Sequence, residues 1–140
     1  MAILAPDVGE VEWLKRTLYG NAGAENITLK LFKSNTTPAE TDVAGTFTEA
    51  DFTGYSSQTL TSSQSGSTWA VPTTTGGVTS STYGGGTPRT WTCGVTGNTI
   101  YGALYVGATS TVLLASDLFS TPRTLANTDV LNYTPKIALD

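Results

Sequence analysis

Val8, Val11, Leu14 and Leu18 recur at three- and four-residue spacing, the period of one face of an α-helix. Asp7 stands before the run as a candidate N-cap, and Glu10 follows three residues later as in a capping box. Lys15 and Arg16 fall near the far end, where positive charge suits the helix dipole. Gly20-Asn21 is the expected stop. These signals predict a helix over residues 7–20, with Trp13 beside the apolar stripe as a packing residue.

After Gly23 the period changes to two. Ile27, Leu29 and Leu31 alternate with Thr28, Lys30 and Phe32, a half-buried strand. Tyr55 to Thr61 reads as another, entered at Gly54. Shorter extended pieces are expected near Trp69–Val71 and Val78–Tyr83, punctuated by Ser- and Gly-rich stretches. Trp91, Cys93 and Val95 alternate with threonines, and Gly97-Asn98 is a hairpin signal. Ile100, Leu104 and Val106 define one face of the next strand, opposite Tyr101, Ala103 and Tyr105. Thr111 to Ala115 is a further short strand. Strict alternation from Leu131 to Leu139 predicts a last strand, at an edge or bulged at Pro135, which lacks a ladder donor. The tetrapeptide TPRT occurs at 87–90, opening a strand, and at 121–124, in an expected loop.

One helix followed by about eight short strands, without βαβ alternation, predicts a mainly β fold. The expected form is an antiparallel β-sandwich, of which a jelly roll is one variant, or a barrel. A length of 140 residues suits a single domain: an arm at 1–6, the helix at 7–20 and a β-rich body at 26–140.

Composition agrees. Charged residues are 13%, about half the usual share, and threonine is about one residue in five. Threonine favours extended backbone because branching at Cβ restricts its rotamers in a helix. The net charge is −4, and Lys15-Arg16 is the only adjacent basic pair, so the stripe needed to bind nucleic acid is missing. The N-terminus, MAILAPDVGE, lacks the basic and long apolar run of an export signal, and no stretch has the length of a membrane span. A cytoplasmic origin is therefore expected, with no membrane partner.

The chain has no histidine, which removes Ser–His–Asp and Cys–His activation and His-ligated zinc. The single cysteine, Cys93, cannot form an internal bridge and is expected in the core. GGG at 84–86 has no Lys-Ser/Thr continuation, so it reads as a connection, not a phosphate cradle. The remaining chemical candidate is FTEADFTGY at 47–55, with Glu40 and Asp42 just upstream. Glu49 and Asp51 among aromatics fit a glycosidase pair only loosely. Asp42, Glu49 and Asp51 are hard oxygen ligands that suit calcium, without any known calcium-loop spacing. The plain alternative is a capped acidic turn, with Thr48 as N-cap and the acids in its first turn. That alternative is favoured, and neither a cofactor nor a metal is expected.

Three stretches carry a resemblance. They are ITLKLFKSNTTP after the helix, FTEADFTGYSSQTL, and GNTIYGALYV with LLASDLFSTPRTLANTDVLNYTPKIALD. Together they resemble small structural proteins of tailed-bacteriophage virions. The resemblance implies a non-enzymatic role, foremost as a capsid decoration or cement protein that stabilises the icosahedral head. It also implies a homo-oligomer, a trimer in that class, bound to the major capsid protein on the capsid surface after synthesis in the bacterial host. Candidate subunit or capsid contacts are Ala2, Ile3, Leu4, Trp13, Glu49 and Asp51. Ile3 and Leu4 have an equal alternative, capping the protein's own core. The competing reading is a tail, baseplate or receptor-binding component, which would expose aromatics such as Trp69 or Tyr83.

Overall fold

The computed structural model describes residues 3–18, 24–62 and 68–139. Among these, one helix, α1 (Asp7–Thr17), precedes nine strands. They are β1 (Ile27–Phe32), β2 (Gln58–Leu60), β3 (Thr73–Thr75), β4 (Val78–Thr82), β5 (Arg89–Thr92), β6 (Thr99–Gly107), β7 (Leu113–Thr124), β8 (Val130–Tyr133) and β9 (Lys136–Leu139). All ladders are antiparallel. The strands form sheets in the orders β2-β1-β6-β7, β3-β4-β9 and β5-β8. Residues from all three, such as Leu29, Trp91, Tyr105, Leu131 and Ile137, meet in one apolar cluster. The fold is thus mainly β, a sandwich of short antiparallel strands with one N-terminal helix. Only one sheet has four strands, so the described strands do not form the two four-stranded sheets of a jelly roll.

The period-two signals hold where one face is buried. Ile27, Leu29 and Leu31 are buried in β1, and Trp91 and Cys93 are buried in and just after β5. Val95 departs from that alternation: it is 84% exposed because the chain has already left the ladder. β6 lies between β1 and β7 and is buried on both faces from Gly102 to Gly107. Ile100 packs with Ala103 and Tyr105, whereas Tyr101 packs beside Leu104 and Val106. The faces therefore exchange around Gly102, where the β6–β7 register slips. A Cβ at Gly102 would lie 2.1 Å from the Asp117 carbonyl oxygen and 2.6 Å from the Phe32 ring.

Several expectations need correction. Pro6, not Asp7, is the N-cap of α1, and its carbonyl accepts from the amides of Gly9 at 2.7 Å and Glu10 at 3.0 Å. The expected stop at Gly20-Asn21 lies outside the described residues. Gly97-Asn98 joins β5 to β6, which do not pair, so it closes no hairpin. Instead Leu125 covers Gly97, where a Cβ would meet its carbonyl at 1.8 Å. The described hairpin turn nearest this pattern is Gly76-Gly77 between β3 and β4, with φ of 59° and 88°. The second TPRT is not a loop but the end of β7. Pro122 is tolerated there because the β6 ladder skips from Leu118 to Arg123. The last alternating run breaks at Pro135 into β8, paired with β5, and β9, paired with β4.

The largest departure is the orientation of α1. Its predicted stripe faces water: Val11 is 49% and Leu14 57% exposed, and Val8 and Leu18 are exposed too. The docked face is Gly9, Glu12, Trp13 and Arg16, which has the same helical spacing. Gly9 lets the helix backbone touch β7, since a Cβ there would lie 2.8 Å or less from the Leu113 and Leu114 carbonyl oxygens. Arg16 then bridges Glu12 and Glu25, each at 2.8 Å. Replacing Leu29, fully buried, by Ala should cost about 2–5 kcal/mol of unfolding free energy. Leu14→Ala should stay within about 0.5 kcal/mol, as for an exposed residue. Urea denaturation of both variants measures the contrast.

Candidate functional site

FTEADF runs alongside β1 and is not a helical turn, and Thr53-Gly54 then turns the chain, with Tyr55 N–H donating to the Phe52 carbonyl at 2.9 Å. Lys33 N–H donates to the Thr48 carbonyl and Ala50 N–H to the Leu31 carbonyl, both at 2.8 Å, around a bridge between Phe32 and Glu49. A short 3-10 turn occurs earlier, at Ala44–Thr46. Phe47, Ala50 and Phe52 are buried and fasten the segment. Gly54, with φ 92°, passes so close to β5 that a Cβ would meet the Thr92 carbonyl oxygen at 2.5 Å.

This pairing sets the two acids opposite lysines of β1 and its extension. Glu49 Oε2 accepts from Lys30 Nζ at 2.8 Å, and Glu49 Oε1 accepts from Tyr55 Oη at 2.9 Å. Tyr55 Oη in turn accepts from Leu31 N–H at 3.1 Å. Burial, opposed by the Leu31 bond and aided by Glu49, pushes the Tyr55 phenol well above its ordinary range. Asp51 accepts from Lys33 Nζ at 2.5 Å. Lys33 first, and Asn98 next, hold the Asp51 carboxyl below its usual range. Asp42 Oδ2 is used within its own turn, accepting from Ala39 N–H at 2.7 Å. Among the described residues no three of His, Cys, Asp or Glu come together to hold a metal ion. The weak calcium set of Asp42, Glu49 and Asp51 is therefore not assembled, and the acids act as cross-strand partners.

The other candidate contacts separate. Ile3 packs partly buried on the core, and Leu4 exchanges backbone bonds with Ser116 at 2.9 and 3.0 Å, so the arm adds to the edge of β7. Ala2 lies outside the described residues. Trp13 is half-buried against the core. Trp69 meets Tyr83 edge-on at 5.3 Å, Tyr83 is buried, and the Arg89 guanidinium lies 4.7 Å from its ring. That pair is not an exposed aromatic cluster. No helix among the described residues is long and apolar enough to cross a membrane.

Sequence reasoning missed a polar groove between β7 and β8. The two strands are joined by a tight turn in which Asp129 N–H donates to the Ala126 carbonyl at 3.0 Å and Asp129 Oδ2 accepts from Ala126 N–H at 2.8 Å. No ladder joins them among the described residues, because β7 pairs with β6 and β8 with β5. Two adjoining cavities of about 410 and 450 Å³ lie along this gap and share Arg123, Leu131 and Asn132. At one end a chain of hydrogen bonds runs to a carboxylate. Lys136 N–H donates to Tyr105 Oη at 3.1 Å, the two phenol oxygens of Tyr105 and Tyr133 are 2.6 Å apart, and Tyr133 Oη donates to Asp117 Oδ2 at 2.8 Å. With Tyr133's proton committed to Asp117, the one Tyr105 proton has two acceptors, Tyr133 Oη and the Lys136 carbonyl at 3.2 Å. Phe119 lies beside Tyr133 with ring centroids 5.5 Å apart. The signal in the sequence was a lone acid inside the apolar run LLASDLF.

Burial raises the Asp117 pKa, and the Tyr133 bond and then the charge of the N-terminal amine only partly offset it. Burial likewise raises both phenols. Glu25 shows the opposite balance. Burial pushes it up, but the Ser110 side chain, the Ser110 and Thr109 amides and the Arg16 charge together hold it below its ordinary value.

Compared with family models, with curated proteins and with solved structures, the chain matches none. Function must be argued from the geometry and from the resemblance given above.

Tyr55→Phe leaves Leu31 N–H without its acceptor and should cost about 1–3 kcal/mol, read by urea denaturation. Asp117→Asn keeps an acceptor for Tyr133 but removes the charge. The folded pKa of Asp117 lies above the ordinary 3.8, so the folded state holds the proton more tightly. Stability from this group is intact below 3.8 and falls as pH rises through the raised folded value. The variant should match the unaltered protein at low pH and be the more stable one at neutral pH, in melting temperatures taken across that range.

Proposed function

We propose that this protein is a non-enzymatic structural component of a tailed-phage virion, a decoration or cement protein on the outside of the head. Its partners are the major capsid protein and further copies of itself, in a symmetric oligomer that the resemblance makes a trimer. It is made in the bacterial host and resides on the capsid surface. One observation supports this above the others: α1 turns Val8, Val11, Leu14 and Leu18 to solvent while its Gly9 and Glu12 face packs inward. An apolar helix face left uncovered in the single chain suits a protein whose surface is completed by a neighbour. The few charges on the rest of the surface fit repeated modest apolar contacts summed over many copies.

The groove between β7 and β8 favours a second reading, a tail, baseplate or receptor-binding component. The two differ in copy number. A decoration protein is present at a level comparable with the major capsid protein, a tail component at far fewer copies, and quantitative mass spectrometry of virions separates them.

The helix face supplies the sharper test. Val11→Glu with Leu14→Glu, at exposed positions, should leave the fold intact. Loss of two apolar side chains from a buried contact, at about 1.5–3 kcal/mol each, should weaken affinity for capsids stripped of this protein by about a hundredfold or more, read as occupancy across a concentration series. An unchanged occupancy curve for the folded variant would overturn the capsid contact.

A further inference from the structure

We propose that the groove between β7 and β8 is a binding site for a neutral saccharide, with Asp117 and Phe119 as its main contacts. This does not depend on the assembly reading, which rests on α1. The groove has the size of a small-ligand site, since its two cavities of about 410 and 450 Å³ fall within the range of ligand pockets. It is elongated, because the cavities adjoin through Arg123, Leu131 and Asn132. An elongated polar groove suits a short chain of rings better than a single compact ligand.

The lining matches hydroxyl chemistry. Asp117 is half-buried, and one of its oxygens is committed to Tyr133. The other has no hydrogen-bond partner among the described residues and can accept from a hydroxyl. Arg123 donates, and Asn132, whose Oδ1 accepts from Thr90 Oγ1 at 2.9 Å, donates through its side-chain amide, so hydroxyls find donors here and an acceptor at Asp117. Phe119 supplies the apolar face on which the C–H side of a sugar ring rests, steadied by Tyr133. Tyr133 is fixed by Tyr105, and Tyr105 by the Lys136 backbone, so the acceptor at Asp117 is held in place before any ligand arrives.

Charge narrows the ligand further. Asp117 and Asp129 disfavour an anion, while Arg123 in the shared middle of the groove and the N-terminal amine charge that acts on Asp117 disfavour a cation. An extended peptide adding as a strand is the main competitor, because among the described residues β7 and β8 form no ladder with each other along the gap. The exposed side chains along the gap argue against it: Ser120, Thr121, Arg123, Thr124, Asp129 and Asn132 are polar, whereas strand addition needs apolar pockets for alternate residues.

The test is an amide NMR titration of the whole chain at neutral pH with maltotriose, cellotriose, chitotriose and mannotriose. Each is taken to about 20 mM, enough to reveal a millimolar site. The expected result is that at least one trisaccharide shifts amides of residues 117–124 and 129–133, with little change elsewhere. Asp117→Asn should weaken that binding about tenfold, the cost of losing a charged acceptor. Phe119→Ala, whose fold is checked by circular dichroism, should weaken it comparably. Silence with all four sugars would overturn the proposal. So would shifts centred away from the groove, or binding unchanged in both variants. A threonine-valine alternating octapeptide that shifts the same amides while the sugars do not would assign the groove to strand addition instead. Capsid occupancy should be unaffected by either substitution, which separates failure here from failure of the assembly reading.

Discussion

Two-sided burial of β6 is the constraint on which the rest of the structure depends. A strand flanked by β1 and β7 and covered on both faces must send alternate side chains into two separate apolar clusters. Leu104 and Val106 meet Phe32, Phe47 and Leu113 on one side. Ala103 and Tyr105 meet the larger cluster on the other. Tyr105 is the costly member, because its hydroxyl is carried into the interior and must be satisfied there. Lys136 and Tyr133 satisfy it, and Tyr133 then needs Asp117. A packing decision at the centre of the sheet thus fixes a carboxylate at the mouth of a groove.

Much of this was legible in the sequence where burial is one-sided. The alternation of Ile27, Leu29 and Leu31 marked β1, and Trp91 with Cys93 marked a buried face, because a half-buried strand prints its orientation as period two. The signal fails when both faces are buried, and the exchange of faces around Gly102 was invisible for that reason. It also misled at the end of the chain. Leu131, Pro135 and Ile137 keep their alternation inward, yet the run serves two sheets, since side-chain direction survives a change of ladder partner. The Asp117 groove left only a single acid in an apolar run, because it is made by two strands failing to pair. Failure to pair is a property of the tertiary structure.

The helix teaches a different lesson. Periodicity found the apolar stripe, and the fold turns that stripe to water. Gly9 allows closer backbone approach than any side chain would, and Arg16 closes a bridge to Glu12 and Glu25 that a leucine stripe could not offer. Glu25 in turn holds the turn after β6 through Thr109 and Ser110. The inward face is thus selected by close approach and ion pairing, which leaves the apolar face for another surface. Amphipathic pattern alone states that two faces differ. It does not state which neighbour each one meets.

The scarcity of charge sharpens the same argument at the strands. In a chain with seven basic residues, each ion pair is a commitment. Lys30 is committed to Glu49, Lys33 to Asp51, and Arg16 to Glu12 and Glu25. The acids that looked most like chemistry in the sequence are therefore those most fully neutralised in the fold. Asp117 is the contrary case: half-buried and raised in pKa, with the Tyr133 hydroxyl and the N-terminal amine charge offsetting its burial only in part. One of its oxygens completes the tyrosine pair that serves the core, and the carboxylate also lines an open polar cavity, so the same residue ties the packing of β6 to the groove.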